Sequence, residues 1–113
     1  MQIDERPAGK VTVLTLKGEL KLGEGQALLK DKIHSLLHQG RTHILVDLGG
    51  VSYIDSSGLG ELASSFTSVG RAGGEIKLLN LTKRVKDLLA ITKLLTVFDT
   101  FDTEQAALHS FSV

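Results

Sequence analysis

Cysteine and tryptophan are absent from the 113-residue chain, proline occurs once and aromatic residues make up only 4%. Without cysteine there is no disulfide, no thiol nucleophile and no cysteine-ligated zinc. A dominant charge is missing too, since 13 Lys and Arg stand against 13 Asp and Glu. Overall charge therefore gives no pull towards nucleic acid or an anionic membrane. No apolar run approaches the roughly 20 residues that span a bilayer. The opening MQIDERPAGK is charged and lacks an apolar signal core. These absences describe a soluble domain expected in the cytoplasm. Apolar residues make up 42%, enough for a real core. The length suits one domain, taken as residues 1–113.

Strand and helix patterns alternate along the chain. Residues 2–6 and 10–17 read as two strands of a hairpin, with Pro7-Ala8-Gly9-Lys10 as the turn. Over 24–39 the residues Leu29, Ile33, Leu36 and Leu37 fall on one stripe of a 3.6-residue period, and Gly40 stops that helix. HILVDL, 43–48, reads as a buried strand ended by Gly49-Gly50. A second helix reaches about Val69, burying Leu59, Leu62, Ala63, Phe66 and Val69. EIKLLNL, 75–81, is the next strand. Thr82 is a fitting N-cap for a third helix that packs Val85, Leu88 and Leu89 inward. TVFDTF, 96–101, reads as a short edge strand, and Asp102 with Gln105 as a capping box for a last helix over 103–110. The expected class is α/β: a mixed sheet of four to five strands, an N-terminal hairpin and about four helices.

The stretch YIDSSGLGEL, 53–62, stands apart. Asp55, Ser56 and Ser57 are placed in a strand-to-helix loop, where α/β folds tend to carry their sites. An N-cap explains one polar residue there. It does not explain Gly58 and Gly60, each costing about 1 kcal/mol in a helix relative to alanine. Glycine suits places where another backbone or a bulky group comes close. Ser57, Glu61, Ser64, Ser68 and Arg71 share the outward face of this helix, with Gly60 and Thr67 beside them. An ordinary wet face is rich in Lys and Glu. This one is small and hydroxylic, which suits a docking surface, while a merely serine-rich exposed face is the plainer alternative. A serine at a helix start is also a favourable place for a phosphate, which would add close to two negative charges.

The stretch VSYIDSSGLGEL resembles the signature loop of STAS domains, specifically the bacterial anti-sigma factor antagonists. LTLKGEL near the start and GGEIKLLNLTKRVKDLLAITKLLTVFDTFDTEQAAL are similar to the rest of that pattern. The resemblance covers roughly residues 3–108. It implies a STAS fold and a binding protein without catalytic residues, cofactor or metal. Members bind an anti-sigma factor that is also a serine kinase, and so free the sigma factor. The kinase phosphorylates the serine after the aspartate and a phosphatase reverses it. Carried over, the switch is Ser56, with Ser57 as the alternate, and Asp55 orients the site. The partner surface comprises the 18–23 loop (Gly18, Glu19, Lys21) and, on the second helix, Gly58, Gly60, Glu61, Ser64 and Ser68. Gly58 and Gly60 would let the partner approach closely. No direct contact with nucleic acid or membrane is implied, and the oligomeric state stays open. A non-switching scaffold or regulatory subunit of a membrane transport or sensory complex is the alternative.

Two positions depart from the pattern. Gly-Glu-Leu-Asp becomes Gly18-Glu19-Leu20-Lys21, a base replacing an acid, which calls for a compensating acid on the partner. Thr-Gly-Leu before the last strand becomes Thr92-Lys93-Leu94, an altered turn. Elsewhere, His34 and His38 have i, i+4 spacing but lack the HExxH pattern and an obvious third ligand. Lys83, Arg84 and Lys86 could meet an acidic partner or a nucleotide phosphate, though a solvated basic face is the commoner arrangement. The Ser56 loop is not GxSxG, which argues against a hydrolase.

Overall fold

The computed structural model describes residues 1–113. Strand β1 (Gln2–Ala8) turns back through Gly9 and Lys10 into β2 (Val11–Leu20). Then follow α1 (Glu24–His38), β3 (His43–Ile54), α2 (Ser56–Arg71), β4 (Glu75–Leu79), α3 (Lys83–Ile91), a 3-10 turn (Leu94–Thr96), β5 (Thr100–Phe101) and α4 (Glu104–Ser110). The sheet order is β1-β2-β3-β4-β5. Only β1 and β2 are antiparallel, and the other pairings are parallel. The mixed sheet, the hairpin and the four helices match the expectation.

Alternation along the strands divides two cores. Leu14, Leu16, Ile44, Val46, Ile76 and Leu78 meet α1, α2 and α3 in a cluster of 19 buried residues. Their neighbours Val13, Leu45 and Leu79 point the other way and meet Ala107 and Phe111 in a cluster of six. Both faces are covered, as a parallel sheet requires.

The turn between β1 and β2 is shorter than the four residues expected. Pro7 stays in register opposite Thr12, because an edge strand tolerates a missing N–H. Strand β3 does not end at Gly49-Gly50. Thr15 pairs Asp47 while Lys17 pairs Gly50, so β3 takes an extra residue as a bulge and runs on to Ile54. Asp47 supports it, since its Oδ1 accepts from the Gly49 N–H at 2.9 Å and from Asn80 Nδ2 at 3.3 Å. The segment 96–101 is not one strand. The 3-10 turn takes up Thr96 and only Thr100–Phe101 pair with β4. Thr103, not Asp102, caps α4, its hydroxyl accepting from the Ala106 N–H at 3.2 Å. Thr82 caps α3 as expected, accepting from the Val85 N–H at 3.3 Å. Lys93 sits at φ 64°, in the left-handed region that favours glycine.

Candidate functional site at the start of the second helix

The longer β3 shrinks the expected loop to a single residue, Asp55. Its backbone is extended and its carboxylate caps α2. Oδ1 accepts from the Gly58 N–H at 2.9 Å and Oδ2 from the Leu22 N–H at 3.1 Å. One side chain thus ties the helix start to the connection after β2. The Gly58 N–H, and next the Leu22 N–H, hold the Asp55 carboxyl below the usual aspartate value. Ser56 is the first residue of α2. It is exposed, and its hydroxyl has no partner within the chain. Ser57 beside it is half-buried.

Gly18, at φ 109°, and Glu19 lie near the end of strand β2 rather than in a loop. Lys21 is exposed and meets Glu19 at 3.4 Å, so it has a counter-charge within the chain. Gly60, Ser64, Thr67 and Arg71 are exposed on α2, and Ser68 is half-buried. Two residues of the expected docking face are not on it. Gly58 is buried, and a β-carbon there would overlap the Leu20 carbonyl oxygen. Its small size therefore serves packing of α2 onto the end of β2, not approach of a partner. Glu61 is only 6% exposed. It faces α1, where burial pushes its carboxyl up while Lys30 and His34 pull it down. Helical spacing placed Glu61 beside Ser57 and Ser64; the neighbouring helix covers it. Gly60 has no atom within 4 Å of a β-carbon position and keeps the open surface.

Leu22 joins the site without any distinctive sequence mark beyond being apolar in the polar run KLGEG. It is 71% exposed and its N–H is held by Asp55. Tyr53, on the other side, carries the Arg84 guanidinium 4.5 Å over its ring. No group of three or more His, Asp or Glu side chains gathers in a metal-binding arrangement, and no helix is long and apolar enough to cross a membrane.

The STAS domain family matches residues 2–107, and the chain belongs to that family. More particularly, it is similar to anti-sigma factor antagonists. The anti-sigma-B factor antagonist of Bacillus subtilis (strain 168) is 39% identical over 72 residues, which are 64% of this chain and 65% of that protein. The anti-sigma F factor antagonist of Paenibacillus polymyxa is 25% identical over 113 residues, 100% of this chain and 97% of the relative. In structure, a candidate anti-sigma factor antagonist from Thermotoga maritima superposes with a TM-score of 0.90 at 25% identity, covering 98% of this chain and 95% of that one. SpoIIAA in its unphosphorylated form shares the fold, with a TM-score of 0.72 at 22% identity over 96% of each chain.

Proposed function

We propose that the chain is an anti-sigma factor antagonist of the cytoplasm, a binding module rather than an enzyme. Unphosphorylated, it docks an anti-sigma factor that is also a serine kinase, and thereby frees the sigma factor. Phosphorylation of Ser56 releases it, and a serine phosphatase restores it. The docking surface runs from Glu19, Lys21 and Leu22 across Asp55, Ser56 and Ser57 to Gly60, Ser64 and Ser68.

One observation carries this reading: an exposed, unbonded Ser56 hydroxyl beside an Asp55 carboxylate that already takes the Gly58 and Leu22 N–H groups. A phosphate on Ser56 would add close to two negative charges. It would stand next to a carboxylate, with those two donors already engaged. The helix start offsets part of that charge, and the rest faces the partner. Turning binding from almost complete to almost absent takes about 5.5 kcal/mol. Burying an unpaired phosphate charge in an interface is a penalty of that order.

The test is an intact-mass spectrum of wild type and Ser56→Ala after incubation with ATP and a cytosolic extract of the host. Phosphate is expected on the wild type alone. Phosphate on neither would overturn the switch. In titrations with the anti-sigma partner, Ser56→Asp is expected to lose binding with Tm nearly unchanged, since Ser56 is exposed. Ser64→Arg is expected to weaken binding through bulk on α2. Unchanged affinity of Ser64→Arg would remove that helix from the interface.

A further inference from the structure

A groove between the end of β3 and α3 lies outside the α2 face. Ile54, Leu88 and Ile91 form its apolar lining, and Lys83, Arg84 and Asp87 its rim, around a volume of about 420 Å³. Ile91 is 79% exposed, the most exposed large apolar side chain of the molecule. The rim charges are unequal. Lys83 is neutralised by Asp87 at 2.7 Å. Arg84 and Lys86 have no carboxylate within 4.0 Å. Stacking on Tyr53 at 4.5 Å holds the Arg84 guanidinium in place without neutralising it. Folding gains little from this arrangement. Ile91 stays in water, and no acid in the first turn of α3 offsets its cations. Ile54 runs directly into Asp55 and Ser56, so the groove continues the switch surface.

We propose that this groove receives an acidic segment, bearing one apolar side chain, of the same partner that docks at Ser56. The inference rests on the proposed function. Arg84, pre-positioned by Tyr53, offers its fork to a carboxylate of that segment. Ile54, Leu88 and Ile91 take the apolar side chain. The free charges on Arg84 and Lys86 favour an acidic partner and repel a basic one, so the groove selects among partners while Ser56 sets whether docking occurs.

The probe is purified anti-sigma-B factor of Bacillus subtilis, the target named for the 39% identical relative. Wild type, Arg84→Glu, Ile91→Asp and Ser56→Asp are each titrated with it by calorimetry at low and high salt. Thermal melts establish that the variants fold, and both groove positions are exposed. Arg84→Glu and Ile91→Asp are each expected to weaken binding about tenfold, and Arg84→Glu to flatten the salt dependence. If both bind like wild type while Ser56→Asp does not bind, the groove is empty in the complex and the switch stands. If the groove variants weaken binding while Ser56→Asp binds like wild type, the groove contact stands and the switch falls. No binding by wild type overturns both.

Discussion

A methyl group added at Gly58 would overlap the Leu20 carbonyl oxygen, whereas one added at Gly60 would meet nothing within 4 Å. The clash at Gly58 is with backbone, which cannot swing aside. Gly58→Ala is therefore expected to cost on the order of 3 kcal/mol. Gly60→Ala should gain about 0.5–1 kcal/mol, the ordinary advantage of alanine in a helix. Urea midpoints of the two variants check this, and a Gly58→Ala as stable as wild type would refute the contact. Gly60→Ala also puts a methyl on the proposed docking face, so under that proposal it should gain stability and lose partner affinity together. Lys93 is the reverse case. It holds a left-handed backbone that a lysine adopts at a penalty. Lys93→Gly is expected to stabilise by up to about 1 kcal/mol. A lower urea midpoint would show that the lysine side chain compensates for the strain.

Helix α2 has an inner face, an outer face and a flank against α1, and the flank is the part that spacing alone conceals. Leu59, Leu62 and Val69 are buried as their period requires. The same period put Glu61 outside, because a helical wheel knows nothing of the next helix. Burial pushes the Glu61 carboxyl up, so its charged form is costlier in the folded state than in the unfolded chain. The charge therefore penalises the fold above the raised folded value, and the penalty vanishes below the ordinary glutamate range. Glu61→Gln is expected to raise Tm slightly at neutral pH and to leave it unchanged near pH 4. A fall at neutral pH would mean that attraction by Lys30 and His34 outweighs desolvation. Much of the candidate site's local geometry was legible in sequence for a local reason. Asp55 caps Gly58 three residues on, and Ser56 follows it directly. The tie from Asp55 to Leu22 reaches back 33 residues to the β2–α1 connection and leaves no local mark. The bulge at Gly49-Gly50 is likewise set by pairing with β2, so the glycines read as a stop when they are a kink.

The whole molecule is closed on one side by three helices and on the other by α4 alone, seven residues long. So short a helix does not hold itself together, and its attachments decide whether the far face stays covered. Ala107 and Phe111 pack against Val13, Leu45 and Leu79. Lys77 Nζ donates to the Ser110 carbonyl at 3.0 Å, and Arg6 pairs with Glu104. Glu75 Oε1 accepts from the Ser112 N–H at 2.8 Å. That N–H, helped by the nearby Lys77 and His43 and opposed by burial, holds the Glu75 carboxyl below the usual glutamate value. A depressed carboxyl contributes its stability above the unfolded value and loses it as pH falls through the lower folded one. Acid should therefore loosen the α4 end before it unfolds the sheet. Hydrogen exchange at about pH 3 should show Ser112 and the α4 amides opening ahead of Ile44 and Val46, compared with neutral pH after correction for intrinsic rates. Glu75→Gln should bring the same early opening at neutral pH and remove most of its pH dependence. Protection of α4 equal in the variant and the wild type at both pH values would show that apolar packing of Phe111 alone holds the helix down.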